Sequence, residues 1–256
     1  MLSTMQMLAI VCPLVFFASF VDSIAGGGGL ISLPAYLLTG MPVHMAYGCN
    51  KFSGCIGTLV SAARYLRSGH LHLRTALCAA ALALAGSGLG ARLALVLSDR
   101  TLRLSMLVLL PLAAVIVLFN KGRLGDRNTF DQHALSAAYL IAGLIGFGCG
   151  MYDGFFGPGT GTFMLLAFSL FLGFDFATAN GNTKLANLAS NVAALVVFIS
   201  AGQVLYQIAI PAALCSICGN YLGSGLAIKK GAGFIRPMLV AVLCLLFVKI
   251  IYDTFF

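Results

Sequence analysis

The sequence predicts an all-α integral membrane protein of two homologous halves, each a glycine-broken helix followed by three transmembrane helices. Three observations carry this. The 256 residues are 60% hydrophobic and only 9% charged, against about 25% charged in soluble domains. Apolar runs over 75–97, 101–119 and 237–252 are close to the roughly 20 residues that cross a bilayer core. Finally, the chain repeats: "DSIAGGGG" at Asp22 is answered by "DGFFGPGTG" at Asp153, an offset of 153 − 22 = 131, after which the register settles at 133.

The first half, 1–120, opens with a broken hydrophobic segment over 5–39, interrupted at Gly26, Gly27, Gly28 and Gly29. Non-helical chain at membrane depth survives only where protein or a water-filled cavity surrounds it. Glycine there permits positive φ and close approach of backbone N–H groups to a ligand. Helices near 43–67, 72–97 and 101–119 complete this half, and a polar linker over 121–134 follows. The second half, 135–256, repeats the order: a broken segment over 135–173, interrupted at Gly157-Pro158-Gly159-Thr160-Gly161, then helices near 176–201, 205–228 and 234–252. At offset 133, Lys51 matches Lys184 and Arg103 matches Arg236, identities that a Gly- and Ala-rich composition does not supply by accident. Gly86/Gly90 and Gly219/Gly223, also in register, read as close helix-packing positions.

Topology turns on whether each broken segment crosses the membrane or re-enters it. Crossing makes the halves parallel and divides the basic residues about evenly between the two faces. Re-entry makes an inverted repeat of three full spans per half, and gathers Arg64, Arg67, Arg74, Lys121, Arg123, Arg127, Lys229, Lys230 and Arg236 on one face, with Arg100 and Arg103 opposite. The positive-inside rule favours the inverted arrangement, with both termini outside and the linker in the cytoplasm. That rule also accounts for the net charge of +8 without a nucleic-acid partner. Lacking a basic n-region and a small-residue cleavage site, the first 22 residues are expected to stay in the mature protein. The eight cysteines follow no disulfide framework and read as small buried apolar residues.

Half-helices beginning at about Leu30 and Thr162 would aim their positive N-terminal ends at one spot, which favours an anion. The candidate binding residues are therefore Asp22, Gly26, Gly27, Gly28 and Gly29 from the first break, and Asp153, Gly157, Gly159, Thr160 and Gly161 from the second. Lys51 and Lys184, opening the second helix of each half, read as lining a polar cavity in company with Asn50, Asn182, Asn187 and Asn191 rather than as snorkelling interfacial lysines. Asp22 and Asp153 are suited either to pairing with these lysines or to taking up a proton, and the sequence is compatible with both. Asp175 reads as a solvated loop residue, and His70 and His72 as interfacial or headgroup-contacting residues without a third metal ligand.

These residues resemble the TauE/SafE family, the sulfite exporter and toluenesulfonate uptake permease group of bacterial membrane proteins. The motifs that carry it are "DSIAGGGGLISLPAYLLTGMP" with "AYGCNKFSG", then "YDGFFGPGTGTF" with "TANGNTKLANLASNVAAL", and "LAIKKGAGFIRP" near the end. Cys49 departs from the threonine more frequent before the Asn-Lys pair, which removes a hydroxyl donor. The resemblance implies a multi-pass protein of the bacterial inner membrane that transports small anions, with sulfite, sulfonates and related organosulfur compounds foremost, driven by an ion gradient of protons or sodium. No cofactor is expected. The competing readings are an anion channel and a membrane-embedded enzyme or assembly factor. Against an enzyme stand the lack of HExxH, of a P-loop lysine after the glycines, and of a histidine at membrane depth.

Overall fold

A computed structural model describes residues 2–98, 130 and 134–242. Among these, every regular element is helical: α1 Thr4–Ala25, α2 Gly29–Leu37, α3 Val43–Arg67, α4 Leu73–Val96, α5 Leu135–Phe155, α6 Thr160–Leu172, α7 Phe176–Ser200, α8 Tyr206–Lys230 and α9 Ala232–Val242. The expected helix at 101–119, nearly all of the linker, and the end of the helix at 234–252 lie outside the described residues. The short helices begin at Gly29 and Thr160, slightly earlier than Leu30 and Thr162.

Local chemistry sets several boundaries. Ser3 and Gln6 form a reciprocal capping box at the start of α1, with Ser3 Oγ accepting from Gln6 N at 3.3 Å and Gln6 Oε1 accepting from Ser3 N at 2.9 Å. Asp175 caps α7, accepting from the N–H groups of Ala177 and Thr178 at 3.0 Å each, so this residue is a helix cap and not simply solvated. His72, at the start of α4, packs against the protein's own aromatic side chains. Its ring lies 4.6 Å from that of Phe130 and 5.9 Å from that of Phe174.

Five described helices, α1, α4, α5, α7 and α8, are long and apolar enough to cross a membrane. α3 has the same 25 residues as α7, but its hydropathy is lowered by Lys51, Ser53, Thr58 and Ser61, all turned inward and buried. At 1.5 Å per residue, the 9 residues of α2 and the 13 of α6 reach only about 14 and 20 Å, short of a bilayer core of about 30 Å. Each broken segment thus joins a first arm long enough to cross to a second arm too short to do so. The surface is inside-out relative to a soluble protein, exposing Phe17, Leu38, Leu140, Val196 and Leu214 while burying Asn180, Asn182, Lys184 and Ser190.

The halves interlock. The two most extensive helix contacts join α4 to α5 and α1 to α8, each pairing one half with the other. Glycine makes both possible: a Cβ on Gly86 or Gly90 would overlap the carbonyl of Phe147 or Met151, and a Cβ on Gly219 or Gly223 that of Phe16 or Phe20. The contacted carbonyls differ by 147 − 16 = 131 and 151 − 20 = 131, the offset that separates Asp22 from Asp153. In both contacts residue numbers rise together, so these helices run parallel. By contrast α3 passes α7 antiparallel, since Lys51 meets Asn191 and Tyr65 meets Asn180.

Candidate functional site

Both glycine runs break their helices, as the hydropathy pattern requires. α1 ends at Ala25, and Gly26 and Gly27 take φ of 74° and 81°; α5 ends at Phe155, and Gly157 and Gly159 take φ of 92° and 87°. The breaks touch. A Cβ on Gly26 would overlap Gly161 and the backbone N of Thr162, so only hydrogen fits where the two chains cross.

Side chains from the second half satisfy the carbonyls orphaned at the end of α1. Thr162 Oγ1 donates to Ala25 O at 3.1 Å, and Asn180 Nδ2 donates to Ile24 O at 2.7 Å and Ser23 O at 3.2 Å. In the second break, Tyr152 OH donates to Pro158 O at 2.8 Å and Thr160 Oγ1 to Gly157 O at 2.7 Å. These bonds satisfy irregular backbone that lies inside the protein.

Each aspartate in the last turn before a break pairs with the lysine of the opposite half. Lys184 Nζ lies 2.7 Å from Asp22 Oδ2, and Lys51 Nζ lies 2.7 Å from Asp153 Oδ2. Lys184 also reaches the Asp22 carbonyl, and Ser190 Oγ donates to Asp153. Both lysines sit eight residues inside their helices (51 − 43 = 8 and 184 − 176 = 8) and are 2% and 0% exposed, which rules out snorkelling. Of the two roles open for the aspartates, pairing is the one adopted here. Because each ammonium is matched by a carboxylate, the two lysine–aspartate pairs add no net charge to the pocket.

Between the breaks lies a cavity of about 60 Å³. Of the expected site residues, Asp22, Gly27, Gly28, Gly29, Asn50, Lys51, Asp153, Gly157, Gly159, Thr160, Gly161 and Asn187 line it. Gly26, Asn182 and Lys184 do not: Gly26 is pressed against the opposing backbone, Lys184 is sealed behind Asp22, and Asn182 is fully buried away from the wall. Cys49, the counterpart of Asn182 (49 + 133 = 182), likewise turns away, its sulfur 3.3 Å from the backbone N of Leu205. The departure from threonine therefore leaves the cavity unaltered. Sequence reasoning missed Ser19, Ser32, Ser53, Thr58 and Asn220 on the wall, small polar residues that blend into packed helices and carry no charge to flag them.

A directional hydrogen-bond chain leads into the cavity. Lys51 has only protons to give, so Asn191 must accept from it through Oδ1, at 3.2 Å. Asn191 Nδ2 is then the donor to Asn187 Oδ1, at 3.1 Å. This fixes the amide of Asn187, whose remaining group at the wall is the donor Nδ2. The first N–H groups of α2 and α6 add to it. Asp22 Oδ1 accepts from Gly28 N at 3.1 Å and Gly157 O from Thr160 N at 3.2 Å, while the N–H groups of Gly29 and Gly161 find no acceptor among the described residues. The cavity wall thus carries donors contributed by both halves, beside the carboxylate of Asp22. Among the described residues, no group of His, Cys, Asp and Glu is arranged to hold a metal ion.

A multi-pass helical protein with a small polar cavity between two helix breaks has the build of a membrane transporter. The chain matches the model of the sulfite exporter TauE/SafE family over residues 11–250, and it belongs to that family. It is similar to a probable membrane transporter protein, ORF9, of Sinorhizobium sp, with 37% identity covering 97% of this chain and 94% of that one. A probable membrane transporter protein of Haemophilus influenzae is 38% identical, covering 97% and 96%. The probable membrane transporter protein YfcA of Escherichia coli K12 is 34% identical, covering 93% and 87%. No solved structure matches the chain. The protein is a multi-pass bacterial membrane protein of a transporter family.

Proposed function

We propose that the protein is a secondary transporter of small oxyanions, with sulfite, sulfonates and related organosulfur compounds as the substrate class, working by alternating access between its halves. The observation that carries this reading is that Gly29 and Gly161, one from each break, line one cavity together with Asn187, and that the N–H groups of these two glycines have no acceptor among the described residues. Backbone N–H groups at helix N-termini bind oxyanions by charge-assisted hydrogen bonds along the helix dipole. A void of about 60 Å³, at roughly 10–15 Å³ per water-sized probe, suits a few heavy atoms such as sulfite or a short sulfonate.

The reciprocal ion pairs and the antiparallel passage of α3 past α7 support reading 1–120 and 135–256 as an inverted repeat joined by 121–134. Such repeats place the substrate at their interface and rock about it. Lys51 lines the cavity and Lys184 is sealed behind Asp22; rocking would exchange these roles. The test is a thermal-shift series on the purified protein with sulfite, methanesulfonate, sulfoacetate and formate, followed by flux into proteoliposomes. Selective stabilisation with accumulation or exchange supports the carrier. Flux without accumulation or exchange would make it a channel, and no response to any of these anions would overturn the assignment.

A further inference from the structure

We propose that the wall of the cavity formed by α1, α3 and α8 binds a sodium ion beside the anion, so that the two are carried together. This rests on the transporter reading above. Ser19, Thr58 and Asn220 all line the cavity. Asn220 is 2% exposed, and its Nδ2 donates to Ser216 O at 3.1 Å. That bond fixes the amide, leaving Oδ1 as an acceptor, and Oδ1 is sealed from solvent with no partner among the described residues. A buried acceptor without a donor is costly. A hard monovalent cation, which takes oxygen ligands, meets its need in less space than a water.

The neighbours supply further oxygens of the same kind. Ser19 Oγ and Ser216 Oγ lie 2.7 Å apart. Gly57 leaves room for this group, since a Cβ there would overlap Ser216 Oγ and Asn220 Nδ2. Asp22, one turn beyond Ser19 on α1, also lines the cavity, with its carboxylate oxygens engaged by Gly28 N and Lys184.

The internal repeat shows that this wall is special to one side. Its counterparts are Gly150 (19 + 131), Asn191 (58 + 133) and Ser87 (220 − 133). There Asn191 is engaged by Lys51 and Asn187, and Ser87 donates to Ser190 O at 2.7 Å, so no orphan acceptor remains. The Asn220 side of the cavity is therefore an acceptor end with no match in the other half. Its two lysine–aspartate pairs are internally neutral, so an anion entering alone would bring an unbalanced charge into a low-dielectric interior. A cation at the acceptor end cancels it, and binding of either ion then strengthens the other by the same factor.

The test uses the full-length purified protein and sodium itself. Radiolabelled sodium should bind wild type saturably and resist competition by potassium and choline, and binding should weaken about tenfold or more in Asn220→Leu and in Thr58→Val. Sulfite affinity should be about tenfold tighter in sodium chloride than in choline chloride at equal ionic strength, a difference that vanishes in either variant. Should Asn220→Leu fail to fold, Thr58→Val decides. Absence of sodium binding to wild type, or binding unaffected by a folded variant, overturns the proposal. Sulfite bound equally in both salts overturns it while leaving the anion transporter standing. Sodium bound with no response to any anion would sink the transporter reading and not the cation site.

Discussion

Replacing Lys51 with alanine removes one partner of an ion pair that has almost no access to water. The side chains of Lys51 and Asp153 are 3% and 4% exposed and 2.7 Å apart. In Lys51→Ala the Asp153 carboxylate keeps only Ser190 Oγ, and a buried charge stripped of its partner costs about 3–5 kcal/mol. At about 2–4 °C per kcal/mol for a chain of this size, the melting temperature should fall by roughly 6–20 °C. Removing both charges together, in Lys51→Met with Asp153→Leu, leaves no orphan, and replacement of a whole buried pair by apolar side chains is often neutral. The double variant should therefore melt well above Lys51→Ala and close to wild type, while failing to bind anion because the chain through Asn191 to Asn187 has lost its donor. Unfolding in detergent followed by tryptophan-independent dye fluorescence gives all four corners of the double-mutant cycle. If the two substitutions simply add, with no coupling energy beyond about 0.5 kcal/mol, the ion pair is not what holds Lys51 in place.

Glycine substitutions separate strain from steric exclusion. Gly26→Ala meets both a φ of 74° and the backbone of Gly161 and Thr162, whereas Gly69→Ala meets a φ of 77° with nothing within 4 Å; the second should cost only about 1–2 kcal/mol, the first distinctly more together with anion binding, as read by melting temperature and the thermal-shift response. Gly88 lies within α4 with open space around its Cβ position, so Gly88→Ala should stabilise by about 0.5–1 kcal/mol through helix propensity; a loss of stability there would mean that α4 packs against something outside the described residues.

Much of this protein was legible in its sequence. Sixty per cent apolar residues with 9% charge leave no alternative to a membrane interior. Four consecutive glycines next to an aspartate, echoed 131 residues later, mark where a continuous helix is given up. The shared register of Lys51 and Lys184 picks out the buried lysines, since a charge in hydrocarbon is tolerated only with a purpose.

Partnership was beyond its reach. Periodicity and hydropathy report whether a residue is buried, not what lies opposite, and the decisive contacts span 153 − 51 = 102 and 184 − 22 = 162 positions. Only the tertiary structure decided that each aspartate answers the lysine of the other half, that α1 nests on α8 and α4 on α5, and that Asn182 faces away while Asn220 and Thr58 form a wall. The physical reason is that a helix exposes several faces of similar polarity. Which face meets the cavity is set by the close approach of glycine-lined helices from opposite halves, a property of the packed pair that no single segment encodes.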